Sequence, residues 1–217
     1  ETGHQWWPMT VSNNETWYGW MDEGFNQYMN ILSGADSRNG APNLNGLGQS
    51  YGRTSGNEAE PPMMWNANYA GPGFYGFTTY NKMPLLLSML GGIVGDTAVQ
   101  RAQRAWGTTW SWKHPSPWDW MFFMNDALKA RAGGDLGWFW YYWLFTTESV
   151  DGSIVNVTTA RGKATVSVKQ EGQMPSPVVL QVKFGGTGPL PALGANGRMV
   201  DASTVVYTWP VDVWLDR

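Results

Sequence analysis

The chain has 217 residues and a formal net charge of −3, with 14% charged and 15% aromatic residues. So few charges beside so many aromatics exclude a disordered chain, and the acidic balance excludes the basic field that a nucleic-acid partner needs. The absence of cysteine excludes a disulfide scaffold, an iron–sulfur centre and a thiol nucleophile. No run of about 18 apolar residues occurs, so no transmembrane segment is expected. Trp17, Met21, Tyr28, Ile31 and Leu32 follow helical spacing and predict a helix over residues 15–32, with Asn14 as its cap. Gly24 lies on the same stripe and permits a neighbour to approach closely. Residues 34–76 are rich in Gly, Asn and Pro, have weak periodicity and read as a long loop, either functional or disordered. A helix is expected from Thr78 or Thr79 through Leu90, with Pro84 near its first turn. Further helices are predicted from Asp96 to about Trp110, from Ser116-Pro117 through Leu128, and from Asp135 to about Phe145.

The character of the chain changes near residue 148. Polar residues at Thr147–Gly152 form a link, and beyond it the apolar period drops from helical spacing to two. Ile154, Val155 and Val157 predict one strand. Ala164, Val166 and Val168 predict a second with one buried and one wet face, Arg161-Gly162 being the turn between them. Val178–Phe184, Val205–Trp209 and Val213–Leu215 complete the expected strands. The reading is a helical domain over residues 1–148 and a small antiparallel β-sandwich, immunoglobulin-like, over 149–217. At their helical spacings Trp17, Trp20, Trp106, Trp110, Trp118, Trp120, Trp138, Trp140 and Trp143 read as core packing rather than carbohydrate platforms.

The chemistry is concentrated at the start. Glu1 and His4 are spaced i and i+3, which puts both on one helical face, and Glu23 follows after a gap of 18 residues. With a histidine before Glu1 the segment would read H-E-x-x-H: two imidazoles on one zinc and a carboxylate between them as base. Alone, E-x-x-H is a weak signal. It is followed, however, by Gln5-Trp6-Trp7, by Trp20-Met21-Asp22-Glu23-Gly24-Phe25 with Tyr28, by Tyr80-Asn81-Lys82 before an apolar helix, and by His114-Pro115, Trp118-Asp119 and Asp135-Leu136.

These blocks, in this order, resemble the gluzincin zinc metallopeptidases, specifically the alanyl aminopeptidase and leukotriene hydrolase family. The resemblance covers residues 1 to about 147. It implies the helical lobe of a thermolysin-like catalytic domain and hydrolysis of the N-terminal bond of a peptide substrate. It implies that His4 and Glu23 are zinc ligands, Glu1 the general base and Tyr80 the oxyanion donor. Asp22 reads as a polar neighbour of Glu23 and less readily as a carboxylate that orients a ligand. His114 reads as a capping or surface residue. The chain departs from the family pattern at Pro8-Met9 and at Met83. The first histidine, the upstream sheet and the segment that reads a substrate's amine are missing, so the chain is expected to be an inactive fragment whose partner is the missing N-terminal part of the same enzyme. The β module is similar to those of exported bacterial relatives, which favours export over the cytoplasm. The competing expectation is a non-catalytic module that binds peptide or glycan.

Overall fold

The computed structural model describes residues 1–71, 73–185, 188, 190 and 192–215. It mixes helices with two small antiparallel sheets. Contact density divides the chain into Glu1–Glu148 and Ser149–Arg217.

The first unit is helical. It opens with a single 3-10 turn, Thr2–Gln5, and a second, Gly19–Met21. Helix α1 spans Glu23–Asp36 and α2 spans Asn45–Gly52. A short helix α3 (Phe74–Gly76) runs on through a π-helical segment, Phe77–Lys82, into α4 (Met83–Val94). Helices α5 (Asp96–Thr109) and α6 (Pro117–Ala132) follow, then α7 (Gly137–Trp140) and a second π segment, Tyr141–Phe145. Helix α4 packs against α1, α5 and α6 through Leu86, Leu87 and Leu90, all fully buried. Aromatic edges lock the other side: Trp120 lies 5.5 Å from both Trp20 and Trp140 at steep angles, a geometry favoured by the ring quadrupoles. Trp20, Trp106, Trp120, Trp140 and Trp143 are core residues as expected, whereas Trp17 and Trp118 are exposed. Among the described residues no helix is long and apolar enough to cross a membrane.

Several boundaries differ from expectation. The helix expected from Glu15 begins only at Glu23, because Tyr18 leaves helical geometry (φ −129°, ψ 59°) and residues 15–17 form a turn. Asn14 caps that turn, its Oδ1 accepting the Trp17 N–H at 3.1 Å. The expected loop at 34–76 contains α2. Its three glycines weaken helical propensity, and burial of Leu47 and Tyr51 compensates. Pro84 lies well inside a continuous helix. It has no N–H for the Tyr80 carbonyl, and the break in the ladder coincides with the end of the π segment.

The second unit has a hairpin and a three-stranded sheet. Strands β1 (Gly152–Ala160) and β2 (Lys163–Gln170) pair across Arg161-Gly162, whose φ values of 52° and 74° make the tight left-handed turn. Strands β3 (Val178–Lys183), β4 (Gly197–Asp201) and β5 (Thr204–Trp209) pair in the order β3-β5-β4. The expected buried face of the hairpin is at best half-buried: Ala164 is exposed, as are Ile154, Val155 and Val157. A hairpin of two strands has too little cover to dry a face. Val213–Leu215, expected as a strand, belongs to helix α8 (Asp212–Leu215), which opens on a turn closed by the Val213 N–H on the Pro210 carbonyl.

Candidate functional site

The 3-10 turn that carries His4 is docked onto α1 by close packing. Gly3 sits against the Asn26 side chain so tightly that no Cβ could fit, and the Trp7 ring meets Phe25 edge-on at 5.5 Å. Phe25 faces the core from the first turn of α1, which turns Glu23 toward His4. Residues 19 positions apart in the chain thereby face each other.

Every contact of His4 is polarised. Its Nδ1 lies 2.9 Å from the Trp7 carbonyl and 2.7 Å from Asp22 Oδ1. The Asn26 amide nitrogen also stands 3.0 Å from Nδ1, but its two N–H groups have partners in the Trp7 and Asp22 carbonyls, so the two oxygens on Nδ1 favour the proton there. Nε2 is left facing Glu23 Oε2 at 3.4 Å, beyond the usual range of an N–H···O bond. Asn26 braces the arrangement, its Nδ2 donating to the Trp7 carbonyl at 2.8 Å and the Asp22 carbonyl at 3.1 Å.

The electrostatics follow from burial and crowding. Burial pushes the Asp22 carboxyl up to about 6; Glu23 and Glu15 push the same way and His4 opposes them. For His4, burial lowers the imidazole, but the Trp7 carbonyl, Asp22 and Glu23 outweigh it and the net direction is upward. Tyr80, on the π segment, faces Glu23, and burial together with that carboxylate drives its phenol well above the ordinary tyrosine range. It therefore stays a neutral proton donor at physiological pH.

The structure thus brings His4, Glu23 and Tyr80 together. Glu1 is exposed at the start of the 3-10 turn, where its carbonyl accepts the His4 N–H at 3.2 Å; no side-chain contact joins it to the group among the described residues. His114 is exposed. Asp22, Asn26 and Tyr75 are site residues beyond the motif. The Tyr75 hydroxyl lies beside Gly19, at 3.1 Å from where a Cβ would stand, and Glu23, Asp22 and Glu15 hold its phenol up in addition to burial. Asp22 reads from the sequence as the neighbour of Glu23, and Asn26 could have been suspected from its i+3 spacing to Glu23; nothing local in the chain marks Tyr75.

His4 Nε2 and Glu23 Oε2 could hold a metal. Two atoms each about 2.0–2.1 Å from a tetrahedral zinc lie roughly 3.3 Å apart, close to the separation found, and a carboxylate on Nδ1 is the usual brace for a metal-binding histidine. A group of three or more such ligands is not formed among the described residues.

No protein-family model and no curated protein matches the chain.

Proposed function

We propose that residues 1–148 are the helical lobe of a thermolysin-like zinc peptidase, an aminopeptidase by resemblance, with residues 149–217 as its β-sandwich module. The observation that carries the reading is the 3.4 Å gap between His4 Nε2 and Glu23 Oε2, with Nδ1 held by Asp22 and the Trp7 carbonyl. His4 and Glu23 are assigned as metal ligands. The reading requires a further ligand, which the resemblance places next to Glu1 as a histidine. When bound, zinc supplies Lewis acidity toward a carbonyl and acidifies a water.

The chain's own residues supply the rest. Asp22 keeps the proton on Nδ1, so that Nε2 presents its lone pair. Tyr80, kept neutral, donates a hydrogen bond toward the negative charge that develops on a substrate oxygen. Glu1 accepts a proton, a role that rests on the resemblance alone.

The test uses the natural protein that contains these residues, assayed for zinc content and for hydrolysis of an aminoacyl amide. Glu23→Ala should lose the metal. Glu1→Gln should keep it and abolish turnover. Tyr80→Phe should keep metal and substrate affinity while turnover falls on the order of 100- to 1000-fold. Absence of stoichiometric zinc from the natural protein overturns the reading and leaves a binding module without catalysis. The isolated chain, with two ligands, should hold little zinc.

A further inference from the structure

We infer that the buried Lys82–Glu60 ion pair is the positioning device for Tyr80: it locks the π segment that carries the phenol and so holds the hydroxyl on Glu23. Lys82 Nζ lies 2.5 Å from Glu60 Oε1, and neither side chain has any solvent exposure. The second Glu60 oxygen has no hydrogen-bond partner among the described residues. Burying two charges this way is a poor route to stability, since apolar side chains of the same volume serve as well or better. A structural purpose beyond stability is therefore needed, and the location of the pair supplies it.

Lys82 is the last residue of the π segment and Phe77 the first. Both ends are clamped by the same surroundings. The Phe77 ring stacks on Tyr51 at 5.8 Å with an interplanar angle of 11°, and the Lys82 ammonium lies 5.8 Å from the centre of the Tyr51 ring. Tyr51 is itself tied down, its hydroxyl donating to the Glu148 carbonyl at 3.3 Å. In the middle, the Thr79 carbonyl lies against Gly24 of α1, 2.8 Å from where a Cβ would stand. A six-residue π segment is rare against the α-helical ladder and needs such restraints to persist. Tyr80 lies between the clamps. Two residues along a helix leave on roughly opposite faces, so Lys82 reaches into the core while Tyr80 reaches Glu23.

Glu60 comes from the Gly-, Asn- and Pro-rich stretch between α2 and α3, near the buried Met63. The pair therefore also ties that stretch to the back of the site. The catalytic consequence rests on the reading of Tyr80 as oxyanion donor; the positional part does not.

The test uses the whole chain with 13C-labelled tyrosine, Tyr80→Phe identifying the Tyr80 signals. The readout is the set of nuclear Overhauser contacts between the Tyr80 ring and the Glu23 methylenes. In Lys82→Met/Glu60→Leu both charges go at similar volume. Those contacts should fall by more than half while the His4 ring signals stay in place. In the natural enzyme the same double variant should lower kcat and leave KM unchanged. Unchanged Tyr80–Glu23 contacts in the folded double variant overturn the inference. Should that variant fail to fold, Glu60→Gln decides: a partial loss of the contacts supports the inference and an unchanged set overturns it. Loss of the inference leaves the zinc assay untouched, and a natural protein without zinc leaves the contacts untouched, so the two readings fail separately.

Discussion

His4 has one nitrogen occupied and one presented, and Asp22 and Trp7 make the difference. Removing a carboxylate behind a metal-binding histidine commonly costs 10- to 100-fold in affinity, by an approximate rule for such partners. If His4 and Glu23 hold zinc as proposed, Asp22→Ala in the natural protein should weaken it by about that factor in competition with a chelator, without emptying the site as Glu23→Ala should. In the isolated chain the same change should mix the His4 tautomers, as read by 15N resonances. An unaltered tautomer would show that the Trp7 carbonyl suffices. At this scale much was legible: the resemblance carried by the ordered blocks names His4, Glu23 and Tyr80, and the fold sets these three side chains near one another. What stayed hidden was the direction of each contact. Asp22 looks like a mere polar neighbour of Glu23 because its partner, the His4 ring, is 18 residues away in the chain. Asn26 and Tyr75 carry no motif at all, and only the docking of the N-terminal turn and the π segment gives them a role.

At the scale of elements, α1 and the π segment touch where Gly24 stands. A Cβ there would lie 2.6 Å from Met83 Cβ and 2.8 Å from the Thr79 carbonyl, both too stiff to yield cheaply. Gly24→Ala should destabilise the protein by about 1–3 kcal/mol, the usual cost of overpacking, and a thermal melt reads it. Helix α6 carries a capping box, Ser116 taking the Asp119 N–H and Asp119 the Ser116 N–H. Ser116→Ala should cost about 1 kcal/mol. The start of α7 is held by Asp135, whose carboxyl is lowered first by a hydrogen bond from Asn125 and then by the Gly137 N–H. A folded value below the ordinary 3.8 means that this stabilisation is complete above that pH and is lost as pH falls further. The difference in Tm between Asp135→Asn and the parent chain should thus be present at neutral pH and disappear in strong acid. The close approach at Gly24, the Ser116-Pro117 start and the Asp96 start were readable because each depends on local chemistry. Helix α2 was not, since three glycines argue against it and only tertiary burial of Leu47 and Tyr51 argues for it. The π segments were equally hidden, because a hydrophobic stripe does not reveal one added residue per turn.

The molecule as a whole is two packed units, and the division at Glu148 falls within the polar run where apolar spacing changes from helical to alternate. The first unit has a dense aromatic core. In the second, Met174, Val205 and Val211 are buried while the hairpin leaves its apolar residues exposed. Alternation in the sequence foretold the strands but not their cover, because a period of two marks which side chains share a face and says nothing of what lies against it. Cores this unequal should melt unequally. Calorimetry of the chain should require two transitions, and a single peak with equal calorimetric and van't Hoff enthalpies would show one cooperative unit.

The π segment also makes the protein's tolerance of insertions and deletions uneven. A π turn holds more residues than an α turn, so losing Asn81 would let the helix revert to an unbroken ladder. Each residue removed rotates what precedes it by about 100°, given 3.6 residues per turn. Tyr80 would swing away from Glu23, and the buried Phe77 and Thr79 would turn with it, while Met83, Leu86 and Leu90 kept their places. A point deletion here should thus lower the melting temperature and break the approach of Tyr80 to Glu23 together. A deletion of the same size among residues 37–43, exposed and ahead of α2, should change neither.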